Sequence, residues 1–479
     1  MFKAILHFLL TVIFATLLLW PFVVMPRLGP YLNYFSGFIQ IKAPHLIDPS
    51  TRFIQEAGIS AEIYIDSIGV PHIYASDNNS TAFALGYMHA RDRLFQMELM
   101  MRMVQGRLSE LFSSRALESD IFWRSFQFVK LADENIKSLQ KDNPQLIEAI
   151  QNYCDGVNTY IDKLTMESLP EEFHLLDFRP QRWELRNIVL LNKYMSFLLT
   201  YNKNDLYVQR VINSLPDELI KTFYPLQEKY LNSVIPEKTG KVNPNDRMTI
   251  SRNPMLNSLA IAAIDHDRIE SQKDIGSNNW VVSGKKSKSG KAILSNDTHL
   301  SLNLPPPWYE VHMKTPEKHT YGLSIPGSAV SIIGTNGKIA WGITNAHWDL
   351  VDYYSVNYAG SDSLSYYSGN EIKQITIAHE VIKIKGQNDF DLAIKKTDIG
   401  PILTIEGDEL IVDWIAADQS DEAIVLFKLE EAANWTEFKN ALSHWTSPPQ
   451  NFVFADTAGN IGLYTAGAMP LRSAGKERG

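Results

Sequence analysis

The chain has 479 residues with 45% hydrophobic and 11% aromatic content, enough apolar material for one complex domain or two to three simpler ones, which excludes a chain disordered by composition. Its 45 basic and 54 acidic residues leave a formal charge of −9, which argues against a polyanion-binding surface and so against nucleic acid as a partner. The single cysteine, Cys154, excludes an intramolecular disulfide, and no Cys/His spacing matches a zinc site.

Behind Lys3, the run Ala4–Val24 is mostly apolar and long enough to cross a bilayer core of about 30 Å. No small-x-small cleavage site follows it, so residues 1–27 read as a signal peptide or, preferably, an uncleaved signal anchor, which places the bulk of the chain outside the cytoplasm, for example in a periplasm. Next, Ala61–Ile73 alternates Ile63, Ile65 and Ile68 around an Asp66–Gly69 turn, predicting a strand pair. From Ser80 the period changes. Phe83, Tyr87, Ala90, Leu94, Met97 and Met101 fall on one helix face, and Val104, Leu108 and Leu111 continue it past an expected kink at Gly106. Cys154, beside the helical stretch Gln151–Asp162, reads as a small buried apolar residue.

Helical patterning persists to about Leu219, giving a helical first region over 28–235. Pro236–Asp274 is polar, and 236–276 reads as a linker or a removable spacer. Beyond it the chain turns strand-like, with strands expected at Trp280–Ser283, Ala292–Ser295, Ser328–Ile333, Lys338–Thr344, Ile372–Lys385 and Asn451–Ala455, and a type I′ hairpin at Asn336-Gly337. The order does not alternate βαβ, which disfavours a Rossmann-like sheet. There is no G-x-S-x-G elbow, H-E-x-x-H or EF-hand loop, and Gly284–Lys291 imitates a phosphate loop with one residue too many.

What remains is Gly276-Ser277-Asn278-Asn279-Trp280, where the polar spacer meets the first strand. It is followed in order by Leu294-Ser295-Asn296-Asp297-Thr298-His299-Leu300, Pro307-Trp308-Tyr309-Glu310, Ile333-Gly334-Thr335-Asn336-Gly337, Ala340-Trp341-Gly342-Ile343-Thr344-Asn345 and Gln450-Asn451-Phe452-Val453-Phe454-Ala455-Asp456. Upstream stand Gly86-Tyr87-Met88-His89-Ala90-Arg91-Asp92 and Gly106-Arg107-Leu108-Ser109-Glu110. This ordered set resembles the penicillin acylase family of N-terminal-nucleophile hydrolases over nearly everything after about residue 55.

The resemblance implies an α+β fold, a four-layer αββα sandwich with a helical N-terminal chain. It implies self-cleavage between Gly276 and Ser277, a heterodimer of the two resulting chains with 277–479 as the start of the second, and hydrolysis of a small-molecule N-acyl amide through an acyl-enzyme on Ser277. The chemistry suits that role: a hydroxyl is a poor nucleophile without a base, and a free α-amine, with a reference pKa of about 7.7–8.0, supplies one at neutral pH. Oxyanion donors carried over are the backbone of Asn345 and the side chain of Asn451, and Arg472 sits where the family has an arginine near the site. His299, beside Asp297, suggests a Ser–His–acid triad, but a terminal amine makes a histidine base redundant, and orienting or substrate contact is the preferred role. Asp349, Asp352 and the carbonyl of Val351 match a structural calcium site, with Asp205 as the first-chain ligand where the family often has Glu; no organic cofactor is implied. Leu199, Leu300, Ile332 and Ile333 fall on acyl-pocket positions, and aliphatic residues there suggest an aliphatic or bulky acyl group. The family's second chain ordinarily runs well past the region ending at Leu471, so the expectation is a sandwich truncated at the C-terminus. An acyl-homoserine-lactone acylase and an inactive, membrane-tethered homologue with a binding role stand as the alternatives.

Overall fold

The computed structural model describes residues 2–19, 52–56, 58–223, 276–300, 303–418 and 422–472. Most of the expected spacer, 236–275, therefore lies outside the described residues. Helix α1 (Phe2–Leu19) covers the front of the apolar run, but its 18 residues reach only about 27 Å at ~1.5 Å per residue, and among the described residues no helix is long and apolar enough to cross a membrane. The rest of the expected anchor span, residues 20–24, lies outside the described residues.

Strands β1 (Arg52–Glu56), β2 (Ile59–Ile65) and β3 (Pro71–Ala75) form an antiparallel meander. The predicted turn between β2 and β3 is closed by Asp66, whose Oδ1 accepts from the N–H groups of Ile68 at 3.0 Å and Val70 at 2.9 Å. Helix α2 (Asn78–Val104) follows, capped by the Asp77 carboxylate on the Ser80 N–H at 2.7 Å. Gly106 does not kink this helix but follows its end. Its φ of +62° turns the chain, and a Cβ there would lie 2.6 Å from Arg124 Cγ, so Leu108 and Leu111 belong to a separate short turn whose N–H groups the buried Asp120 caps.

The longer helices α3 (Phe128–Asp142), α4 (Pro144–Asp162), α5 (Arg186–Thr200) and α6 (Asn204–Ser214) follow in the helical half, with shorter ones at Leu117–Ser125, Glu171–Leu176 and Asp217–Phe223. Backbone contact between α2 and α4 is allowed by two glycines: a Cβ on Gly86 would sit 2.1 Å from Tyr153 O, and one on Gly156 would sit 1.9 Å from Phe83 O. Cys154, on α4, is buried, and burial pushes its thiol well above the usual range, so it packs as an inert apolar group.

The second half contributes β4 (Gly276–Val282), β5 (Ile293–His299), β6 (Tyr309–Lys314), β7 (His319–Ser324), β8 (Ile333–Thr335), β9 (Ile339–Asn345) and β10 (Val351–Ser355). After β11 (Ser365–Ser368), β12 (Glu371–Gln374), β13 (Thr376–Ile382), β14 (Phe390–Lys396), β15 (Ile402–Ile405) and β16 (Asp408–Trp414) come helices α7 (Glu422–Glu431) and α8 (Trp435–Leu442), then β17 (Gln450–Asp456) and β18 (Ile461–Ala466). Nine strands make one sheet in the order β1-β2-β3-β6-β7-β8-β9-β17-β18. Its single parallel junction, β3 with β6, joins the two halves of the chain, His72 standing opposite His312. The fold is therefore α+β, and both halves share one sheet and one core.

Alternation assigns the faces of this sheet. Ile63, Ile73 and Val311 point to the helices, as do Trp341, Phe452 and Phe454, which pack against α7 and α8. Gly342 points the other way, onto Asn296 of the two-stranded β4–β5 sheet. Three layers are thus visible among the described residues: helices, the large sheet, and the β4–β5 hairpin.

Three local expectations are corrected. Of the strand expected at Ser328–Ile333, residues 328–332 form a buried loop and only Ile333 belongs to a strand, opening β8; Gly327 (φ +112°) turns the chain into the loop, and Ser328 Oγ donates back to Val330 O. Ile372–Lys385 is split between β12 and β13. The β8–β9 hairpin exists, but only Gly337 has a positive φ, so the turn is not type I′; Asn336 instead caps it, its Oδ1 accepting from Lys338 and Ile339 while its Nδ2 donates to Glu430 O and Ala432 O.

At the centre of the core, His89 is fully buried between α2, α4 and β7. Gly327 N–H donates to Tyr153 Oη at 2.9 Å, and Tyr153 Oη lies 2.7 Å from His89 Nδ1. On the other side, His89 Nε2 lies 2.8 Å from Ser324 Oγ, which donates to Tyr309 O. This ordering makes Nδ1 the acceptor and Nε2 the donor, so the ring is neutral. Burial, then the Arg93 charge, lowers its pKa to about 3.

Two outcomes follow from this packing. Gly156→Ala forces Phe83 O and the inserted methyl apart and should cost about 3 kcal/mol or abolish folding, measured by urea denaturation. An unfolded imidazole takes up its proton near pH 6.5, so the stability that neutral His89 supplies is complete above that value and is lost as pH falls toward 3. The drop in Tm between about pH 7 and about pH 4 should be shallower in His89→Gln than in the parent, and equal slopes would show that His89 protonates without cost.

Candidate active site

In the β4–β5 hairpin, Gly276 stands opposite His299, Ser277 opposite Thr298 and Asn279 opposite Asn296. Two side-chain amides fasten this hairpin to the large sheet. Asn296 Oδ1 accepts from the Ile343 N–H at 2.7 Å, and its Nδ2 donates to Ile343 O and to Asn278 O, each at 3.0 Å. Asn279 Nδ2 donates to Asn451 O at 3.1 Å. The approach requires glycine at 342, where a Cβ would lie 2.8 Å from both Cβ and Oδ1 of Asn296. Ser277 is thereby held against the ends of β9 and β17.

The Ser277 hydroxyl turns back on its own chain and donates to Gly276 O at 2.5 Å. It also lines a largely apolar pocket, walled by Met195 and Leu199 of α5, Leu426 and Phe427 of α7, the 328–332 loop and Leu300. Of the pocket residues expected from sequence, Leu199, Leu300 and Ile332 are here. Ile333 is not; as the next residue along it is packed into the core instead. Sequence reasoning missed Glu422, Leu426 and Phe427, which reach the pocket because α7 packs against α5, Trp445, which follows α8, and Gln450, whose one signal was its place next to Asn451 in the matched motif.

Asn345 ends β9 and lines the pocket. Its Nδ2 donates to Leu199 O at 2.9 Å and its Oδ1 accepts from His347 N–H, so its side chain is committed to joining β9 to α5. Asn451 pairs opposite Thr344; its Oδ1 accepts from Thr465 Oγ1 at 2.8 Å, and its Nδ2 faces the pocket-lining Thr344 Oγ1 at 3.4 Å. His299 is partly exposed, lies outside the pocket wall and pairs with Asp297 at 2.8 Å. Opposite Gly276 in the hairpin, it flanks the Gly276–Ser277 bond.

Arg472 stands elsewhere than expected. Its guanidinium lies on the carboxylates of Asp349 and Asp352, each at 2.9 Å, and not on the pocket wall. Asp205 of α6 meets this same cluster, and the three carboxylates present oxygens within 4.8 Å of one another. Burial, then the charges of Asp349 and Asp352, raise the Asp205 pKa to about 7, and its buried Oδ2 has no hydrogen-bond partner. Three acidic groups against one guanidinium leave an oxygen-lined, net negative site, which fits a hard divalent cation. Val351 opens β10 between the two aspartates, opposite Trp414, and its N–H bonds to Asp349.

If the amide clamp sets Ser277, Asn296→Leu removes both bonds to Ile343 and leaves a partly buried N–H without its partner. Any chemistry at Ser277 that depends on its position should slow by about 100-fold, while circular dichroism retains the native signature.

A family model described as penicillin amidase matches residues 60–479. The acyl-homoserine lactone acylase QuiP of Pseudomonas fluorescens (strain Pf0-1) is 28% identical over 457 residues, spanning 89% of this chain and 53% of the relative. The penicillin acylase 2 proenzyme of Pseudomonas sp. (strain SE83) is 28% identical over 440 residues, spanning 89% of this chain and 55% of the relative. Penicillin G acylase of Escherichia coli is 27% identical over 488 residues, spanning 87% and 55%. The chain spans about half the length of these curated relatives. Since the match takes in both halves of the shared sheet and the Ser277 hairpin between them, the chain belongs to the penicillin amidase family.

Proposed function

We propose that this chain is an amide hydrolase that activates itself by cutting its own Gly276–Ser277 bond and then uses Ser277 to split a linear N-acyl amide. The observation that carries the reading is the Ser277 hydroxyl, 2.5 Å from the oxygen of the preceding carbonyl and on the wall of an apolar pocket. In the activation step Oγ adds to the Gly276 carbonyl carbon, the C–N bond breaks as the amine takes up the hydroxyl proton, and an ester forms. Water then hydrolyses that ester, leaving a Gly276 carboxylate and a free α-amine on Ser277.

With its amine free, Ser277 supplies both nucleophile and base. Oγ attacks the substrate carbonyl, the Asn345 N–H and the Asn451 amide stabilise the oxyanion, the amine product leaves protonated, and water releases the carboxylic acid. Each oxyanion donor contributes roughly 2.7–4 kcal/mol. The aliphatic lining, with Leu199, Leu300, Ile332 and Leu426, favours a flexible alkyl acyl group, which supports the acyl-homoserine-lactone reading over a β-lactam one. The shared sheet supports a heterodimer that stays together after cleavage, with β4–β5 as the start of the second sheet of a four-layer sandwich. An extracytoplasmic location belongs to the same proposal.

Asp205, Asp349, Asp352 and the Val351 carbonyl would hold a calcium ion, which supplies charge neutralisation between α6 and β10. Arg472 shares that role.

Intact-mass analysis and end sequencing of the purified chain should find a new N-terminus at Ser277, absent in Ser277→Ala. A single uncut chain in the parent would contradict the proposal. Calcium at about 100 times its Kd should raise Tm by an amount equivalent to roughly 2.7 kcal/mol, reversed by chelator and abolished in Asp205→Asn; an unchanged Tm would rule out the ion.

A further inference from the structure

Gln450 is 3% exposed and lines the pocket, yet its Nε2 meets no acceptor from the protein. It stands opposite Asn345 and shares the sheet face of Phe452 and Phe454, which pack on α7 and α8. Ser277, on the β4–β5 hairpin, lies over the opposite face, so the pocket passes round the end of the sheet and the Gln450 amide belongs to its far side. Trp308 Nε1 is a second buried N–H on a pocket-lining residue with no acceptor. Glu422, also on the wall, does not pair with either: its carboxylate already accepts from Asn192 Nδ2 at 3.0 Å, Thr446 N–H at 3.1 Å and Ser447 N–H at 2.8 Å.

A buried donor left unpaired is costly, and here two line one largely apolar cavity. An oxygen on the ligand removes that cost, whereas a plain alkyl chain does not. A ligand carboxylate would meet the Glu422 carboxylate in a site of low dielectric. On the amide-hydrolase reading above, we propose that the acyl group this pocket takes carries a neutral oxygen substituent along its chain, a hydroxyl or a ketone, that Gln450 donates to that oxygen, and that Glu422 excludes acyl groups ending in a carboxylate.

Binding is measured by calorimetry on uncut Ser277→Ala protein, so the result does not depend on cleavage or turnover, which the end sequencing above reads separately. The probes are the 4-nitroanilides of decanoic acid, of hydroxydecanoic acids with the hydroxyl near the amide, mid-chain or terminal, and of the ω-carboxy analogue. At least one hydroxylated isomer should bind about tenfold tighter than the plain decanoyl compound, and the ω-carboxy compound should bind more weakly than both. Adding Gln450→Met should erase the hydroxyl preference, so that the hydroxylated and plain decanoyl compounds bind alike. Plain decanoyl binding as tightly as every hydroxylated isomer would overturn the proposal without any variant, as would an undiminished preference in Gln450→Met or binding of none of the probes.

Discussion

The bond pair between the Asn296 side chain and the backbone of Ile343 is the contact on which the site depends. A carboxamide has a carbonyl acceptor and an NH2 donor group in one plane, so it can stand in for a neighbouring strand on a free peptide edge. The β4–β5 hairpin is thus tied to β9 without being part of its sheet, and the missing side chain at Gly342 lets it come close. The proposed chemistry requires Ser277 to be fixed relative to two groups on different strands, Asn345 of β9 and Asn451 of β17. The Asn296 and Asn279 amides fix it to both.

The second constraint is that the two halves of the chain share their main core. The β3–β6 junction completes the sheet across them, and the His89 relay, the α2 to α4 packing and the Asn345 bond to Leu199 O all cross between elements of that shared core. A cut at Gly276–Ser277 in such a structure separates the chain covalently while its buried surface holds it together. The pocket uses the same arrangement, since α5 supplies one wall and α7 with the 328–332 loop another.

Much of this was legible in sequence where the signal is local. The β2–β3 pair, α2 and its apolar face, β9 and β17 announce themselves by period and turn residues, and the ordered motifs around Ser277 carried the family resemblance. The misreadings share one cause. The loop 328–332 is apolar because it walls a pocket, and apolar runs of that length look like strands whatever buries them. Gly106 turns the chain just past α2 with a positive φ, and Arg124 and Asp120 leave no room for a side chain there, a tertiary fact. Arg472 finds Asp349 and Asp352 more than 100 residues upstream, and the unpaired Gln450 amide has meaning only once its surroundings are known to offer no acceptor.

The central claim is that Ser277 carries the acyl group. Protein quenched in acid during turnover of an N-acyl 4-nitroanilide, then digested and analysed by mass spectrometry, tests it most directly. The account predicts one acylated peptide, the one beginning at Ser277, with the acyl group on Oγ as a hydroxylamine-labile ester. Turnover with the label on another residue, or with no covalent intermediate at all in a burst-phase experiment, would contradict it.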